Sequence, residues 1–235
     1  MPDNKNNLHL LLIGGGEIEA PKLETLAIDE FFINSIAKKE PTILFIPTAS
    51  EFYDKEKTYE QNIRFLYEKK LGCNITTLYL TPAPAMEEIK EKLENADGLY
   101  IGGGDPLYML KTWHETGVGE LIKQYALSGK PVAGISAGAM CWFEKVLMKG
   151  ETESFFVRGF DLFKNFCLPH WNKHRSFAVL PIAKEGPFIA VDECAAVAVI
   201  KGKVQIITAD QNASAFYCEV TDTLNQTPLK KEHLF

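Results

Sequence analysis

The chain has 235 residues, 31 of them acidic and 25 basic, for a formal net charge of −6. That balance argues against general binding to a nucleic-acid backbone, which needs a basic face. A composition of 46% hydrophobic and 24% charged residues is that of a folded globular protein rather than a disordered one. Five cysteines (Cys73, Cys141, Cys167, Cys194, Cys218) form no CxxC pair and read as reduced thiols in a cytoplasm. The first apolar run, Leu8–Ile13, is too short for a signal-peptide core or a bilayer span. A soluble, cytoplasmic protein with no membrane partner is expected.

In chain order the pattern is apolar strand, break, amphipathic stretch, repeated. Strands are predicted at His9–Ile13, Thr42–Pro47, Ile75–Leu80, Gly98–Ile101 and Pro131–Ile135, with helices at Leu23–Lys38, Lys57–Lys70, Ala85–Leu93, Leu107–Trp113 and Val118–Ser128. Continuous apolar strands alternating with helices imply an α/β fold, its mostly parallel sheet covered on both sides. A further helix is predicted from Ala139 to Met148. Near the C-terminus, Phe188–Val191, Ala195–Ile200, Val204–Thr208 and Ala213–Cys218 read as short strands extending this sheet in antiparallel fashion. Lys201-Gly202-Lys203 supplies a hairpin turn between the middle two. Nothing divides the chain, so residues 1–235 are read as a single domain, with Glu219–Phe235 as a surface tail.

The strongest local signal is Gly134-Ile135-Ser136-Ala137-Gly138, between a predicted strand and a predicted helix. Glycines on both sides of a serine permit a tight strand-to-helix turn that holds the hydroxyl clear of the backbone. A serine hydroxyl needs a base. Of the five histidines, His9 lies in the first strand, His114 follows a helix and His233 is in the tail. His170, in Leu168-Pro169-His170, ends an apolar strand and can face the serine across the sheet's carboxyl edge. His174 is the rival. The His170/His174 pair as metal ligands lacks an evident third partner, so no metal is assigned.

A carboxylate must orient the imidazole. Asp192-Glu193 follows a predicted strand, and alternation sends the two side chains to opposite faces, so only one can serve. Glu193 is the first choice and Asp192 the fallback, with Asp161 and Glu153 weaker. The chain order serine, histidine, acid differs from that of α/β-hydrolases. Gly102-Gly103-Gly104 follows the fourth strand and can aim a backbone N–H at an oxyanion, with Ala137 N–H as the other donor. A second triplet, Gly14-Gly15-Gly16, fits neither a dinucleotide-binding nor a P-loop pattern and is left as a tight turn or a ligand loop.

At LLIGGGEI (Leu11–Ile18), FIPTAS (Phe45–Ser50), YIGGGDPLYML (Tyr100–Leu110), GISAGAM (Gly134–Met140), LPH (Leu168–His170) and VDE (Val191–Glu193), the sequence resembles peptidase family S51. That family includes aspartyl dipeptidase and cyanophycinase. The resemblance implies a three-layer α/β/α fold and a serine peptidase without metal or organic cofactor, acting on short peptides. Carried over, Ser136 is the nucleophile, His170 the base, Glu193 its orienting acid, and Gly103 and Ala137 the oxyanion donors, with Gly104 an alternative to Gly103. Asp105 stands where the family often has Asn, and a shorter segment follows His170, leaving Arg175 as the evident basic partner for an acidic substrate side chain. Asp105 and Arg175 are therefore the expected substrate contacts. Asp-X dipeptides are the first substrate expectation. A β-Asp-Arg isopeptidase, a non-catalytic small-ligand binder on the same scaffold and a Cys141 nucleophile are the rivals, and a homodimer is compatible with each.

Overall fold

The computed structural model describes residues 4–150, 153–173, 186–221 and 223–235. Five strands, β1 (His9–Ile13), β2 (Thr42–Ile46), β3 (Asn74–Thr77), β4 (Gly98–Ile101) and β5 (Val132–Ile135), run parallel in the order β1-β5-β4-β2-β3. Their carboxyl ends share one edge of the sheet, with Ile13 opposite Ile135 in register. Side-chain alternation along β1 divides the core. Leu10 and Leu12 face one side, with Ile89, Leu93, Met109, Trp113 and Ile122 of helices α3 (Met86–Asn95), α4 (Pro106–Thr116) and α5 (Val118–Leu127). Leu11 and Ile13 face the other, with Ile28 and Phe32 of α1 (Leu26–Ile36), Ile63 of α2 (Thr58–Arg64) and Leu66 and Tyr67 of the π-helical turn that continues it. Three layers, α/β/α, result. In the second layer Asp29 is fully buried, accepting hydrogen bonds from Thr25 Oγ1 (2.7 Å) and Tyr67 Oη (2.6 Å).

β10 (Ala195–Ile200) joins β1 antiparallel and β11 (Lys203–Thr208) follows on the outside, giving seven strands. Lys201 (φ +49°) and Gly202 (φ +74°) form the two-residue turn between them, as the Lys-Gly sequence predicts.

The expectation that every C-terminal strand extends this sheet is corrected. β9 (Phe188–Val191) and β12 (Ala215–Val220) belong to a second, six-stranded sheet with β6 (Phe143–Lys149), β7 (Ser154–Arg158), β8 (Phe163–Leu168) and β13 (Leu224–Pro228), in the order β13-β12-β9-β8-β6-β7. Here the predicted helix from Ala139 to Met148 gives way. Helix α6 spans only Ala137–Met140, and Phe143–Lys149 pairs with β7 and β8 instead. The apolar spacing Phe143, Val146, Leu147 fits a helix, but two ladders of strand partners override local preference. The expected surface tail is also built in. Leu224–Pro228 pairs with β12, Leu234 is fully buried, and its carbonyl accepts the Lys164 N–H at 3.0 Å. Among the described residues no helix is long and apolar enough to cross a membrane.

Candidate active site

Ser136 follows β5 with φ +54° and ψ −110°, a conformation that costs a non-glycine residue on the order of 1–3 kcal/mol. Its neighbours make the turn possible. A Cβ on Gly134 would stand 2.1 Å from Gly138 O, and one on Gly138 would stand 2.4 Å from Ile101 O. Both glycines are required by close backbone approach, and the serine is held at the carboxyl edge, its N–H donating to Ile13 O at 2.9 Å. Because α6 has only one turn, the gathered dipole of a long helix is not behind Ser136.

His170 and Glu193 come from the other sheet, at the ends of β8 and β9. His170 Nε2 lies 2.9 Å from Ser136 Oγ, and its Nδ1 lies 2.9 Å from Glu193 Oε1. A carboxylate only accepts, so the ring proton belongs on Nδ1 and Nε2 is left to accept the serine hydroxyl. Burial alone would raise the Glu193 carboxyl, but bonds from Lys173 and His170, together with their charge, hold it below the usual carboxylate range. Lys173 Nζ sits 2.5 Å from Glu193 Oε2, and Asn172 Oδ1 accepts the Glu193 N–H at 3.0 Å. Its bond to the Glu193 carboxylate raises the Lys173 ammonium in turn. Asp192, the fallback acid, is buried, and its Oδ2 accepts the Ser214 N–H at 3.1 Å. Asp161 faces Arg158 at 3.3 Å, and Glu153 is exposed, just before β7.

The first glycine triplet, left open by the sequence, braces this arrangement. Gly14 O accepts the His170 N–H at 3.0 Å and Gly15 O accepts the Cys194 N–H at 2.9 Å, tying both second-sheet loops to the end of β1. A Cβ on Gly15 would stand 2.3 Å from His170 Nδ1 and 3.0 Å from Glu193 Cγ. Only a bare backbone fits beneath the imidazole.

The serine opens into a cleft of about 290 Å³, lined also by Glu17, Ile18, Tyr53, Tyr59, Gly103 and Gly104. Among the described residues that line it, Glu17 and Glu193 are acidic and no lysine or arginine is present. Gly103 adjoins Ser136, since a Cβ on it would stand 3.3 Å from Ser136 Cβ. Its N–H, however, donates to Tyr59 Oη at 3.0 Å. Asp105, expected as a substrate contact, caps α4 instead: its Oδ1 accepts the N–H groups of Leu107 (2.8 Å) and Tyr108 (3.1 Å), with Pro106 opening the helix. Asn or Asp can each make this cap. Arg175 and the rival base His174 lie outside the described residues.

The remaining candidates fall away from the serine. His9 Nε2 bonds Ser35 Oγ at 2.8 Å, and His233 stacks on Tyr217 with ring centroids 4.0 Å apart. Cys141 is fully buried, burial pushes its thiol well above the ordinary range, and its Sγ–H donates to Gly138 O at 3.4 Å. Such a thiol is inert. Sequence reasoning missed Asn172 and Lys173, although both directly follow His170. It also missed Tyr59, which reads there as one more aromatic in an amphipathic helix.

A family model described as peptidase family S51 matches residues 10–207. An uncharacterized peptidase of Bacillus subtilis, YgaJ, is 32% identical over 165 residues, covering 69% of this chain and 68% of its own length. Peptidase E of Shewanella denitrificans is 28% identical over 108 residues, and the chain spans 43% of its length. A crystal structure of a peptidase from an acI-B1 actinobacterium superposes with a TM-score of 0.72 at 23% identity, covering 94% of this chain and 93% of that one. At that identity the likeness is one of fold.

Proposed function

The chain belongs to peptidase family S51, and from that premise we propose that it is a serine peptidase hydrolysing short peptides, Asp-X dipeptides among them. The observation that carries this is the continuous chain Ser136 Oγ, His170, Glu193, with both contacts at 2.9 Å. Ser136 Oγ attacks the scissile carbonyl while His170 Nε2 takes its proton. Glu193 stabilises the imidazolium and then sees the proton returned to the leaving amine. Water repeats the sequence on the acyl-enzyme. The ionised state of Glu193 suits that role, and the small cleft suits a short peptide rather than a protein segment.

The test is release of free amino acids from a panel of Asp-X and other dipeptides and from β-Asp-Arg, with wild type beside Ser136→Ala. The variant should fall to background, a loss on the order of 10⁶-fold in kcat, with unchanged thermal unfolding. Equal turnover in both proteins sinks the assignment. A second reading, isopeptidase action on β-Asp-Arg, draws support from Glu17, which would meet a basic group at the cleft. Cleavage of β-Asp-Arg in preference to Asp-X would decide for it. Failure of a fluorophosphonate to label wild type would favour a non-catalytic binder.

A further inference from the structure

Tyr59 is a cleft residue to which the serine mechanism gives no task. Its hydroxyl oxygen accepts the Gly103 N–H at 3.0 Å, so the backbone donor expected at the oxyanion is turned toward a phenol. Gly103 in turn abuts Ser136, so the phenol oxygen lies one hydrogen bond from a residue in contact with the nucleophile. The ring is seated firmly. A Cβ on Gly102 would stand 2.9 Å from Tyr59 Cε1, and Phe45 meets the ring edge-on with centroids 5.1 Å apart. Gly102 is thus required where the ring passes, which gives the first residue of the triplet a purpose. Having accepted the Gly103 N–H, the hydroxyl still holds a proton to give. Desolvation, opposed by that same backbone bond, keeps the phenol protonated far past neutral pH.

We propose that Tyr59 Oη, rather than the Gly103 N–H, is the second donor to the oxyanion, and that the Gly103 N–H holds the phenol oxygen in place. This deepens, and rests on, the reading of Ser136 as nucleophile. No proton is transferred. The O–H bond persists, and its hydrogen bond to the substrate oxygen strengthens as negative charge gathers there, which is the condition for selective transition-state stabilisation. The Gly103 N–H behind it polarises the hydroxyl in the same direction. Ala137 N–H remains the other donor.

The two accounts of the oxyanion differ in sign. If Gly103 N–H is the donor, Tyr59→Phe releases it and the reaction holds or quickens; if the Tyr59 hydroxyl is the donor, the reaction slows. The second-order rate of labelling by a fluorophosphonate reads this without knowledge of the substrate, because the reagent's phosphoryl oxygen takes the oxyanion's place. Tyr59→Phe should label about 10²-fold more slowly than wild type, and Ser136→Ala should not label. A Tyr59→Phe rate equal to or above that of wild type overturns the proposal. Labelling of Ser136→Ala shows instead that the nucleophile was misassigned. Should Tyr59→Phe fail to fold, a crystal structure of the wild-type adduct decides. A phosphoryl oxygen within about 3.2 Å of Tyr59 Oη is expected, and one held by the backbone N–H groups of Gly103, Gly104 or Ala137 alone overturns the proposal.

Discussion

Two glycine triplets stand at the carboxyl edge of the same sheet, one after β1 and one after β4, and they do opposite things. Gly14 and Gly15 offer carbonyls outward to the His170 and Cys194 N–H groups, and lie flat beneath the imidazole. Gly102–Gly104 offers an N–H inward, wraps a tyrosine ring, and leads into the Asp105 cap of α4. Like sequences therefore serve unlike ends. The first loop fixes His170 beside Glu193, and the second lies against Ser136 and Tyr59. What separates them is what each approaches, and only the fold supplies that.

Substituting each loop should expose the difference. Gly15→Ala puts a methyl 2.3 Å from His170 Nδ1, at φ +155°, so the imidazole must leave its place. Turnover should fall by at least about 10²-fold, since a displacement near 1 Å in a reacting group costs that much. Fluorophosphonate labelling should fall alongside it. Gly102→Ala meets the Tyr59 ring edge at 2.9 Å and Phe45 at 3.3 Å, so the phenol ring must shift to admit the methyl. Its kcat should drop about tenfold with KM nearly unchanged, as for an oxyanion donor displaced but not deleted. Equal losses from the two alanines, with equal changes in KM, would erase the distinction between the loops.

Lys173→Ala acts on the first loop's side and more gently, because the lysine is 58% exposed. It loosens Glu193 and removes one of the groups holding that carboxyl below its usual range. A depressed carboxylate is lost as pH falls through its folded value. The variant's activity should therefore fail at higher pH than wild type on the acid side, with less than about a tenfold loss at pH 8. Superimposable acid limbs in the two pH profiles would show that the lysine has no hold on the acid.

Asp29→Asn, in the helical layer, probes a buried carboxyl that belongs to neither loop. Burial, opposed by bonds from Tyr67 and Thr25, raises the Asp29 pKa to about 6. A raised carboxyl favours the fold while protonated, and that contribution disappears as pH rises from about 4 through about 6. Wild type should accordingly gain roughly 1–3 kcal/mol from this group between pH 7 and pH 4, and Asp29→Asn should lack that gain. The difference between the two proteins' thermal unfolding curves measures it, while kcat/KM at pH 8 stays within about twofold.

How far all this was readable depends on whether the signal was local. The parallel strands, the Ser136 elbow, and His170 and Glu193 at strand ends follow from apolar runs, glycine spacing and alternation. The choice of Glu193 over Asp192 rested on alternation together with the family resemblance; Glu193 meets His170, while Asp192 accepts the Ser214 N–H. The second sheet was hidden because β6, β7 and β8 alternate only partly, and their partners are remote in sequence. Asp105 was misplaced because a carboxylate before Pro106 reads equally as a ligand or a cap. Tyr59 carried no sequence signal, because its meaning depends on Gly102 and Gly103 being brought beside it.

The chain passes from the second sheet to the first through Asp192–Cys194, with Glu193 on that crossing, while Ser136 follows β5 on the passage from the first sheet to β6 of the second. Neither sheet by itself brings Ser136, His170 and Glu193 together. During refolding, secondary structure can return in each sheet before a single substrate is cleaved. The regain of hydrolysis would then report the moment the sheets dock, making the enzyme's own turnover a clock for its last assembly step.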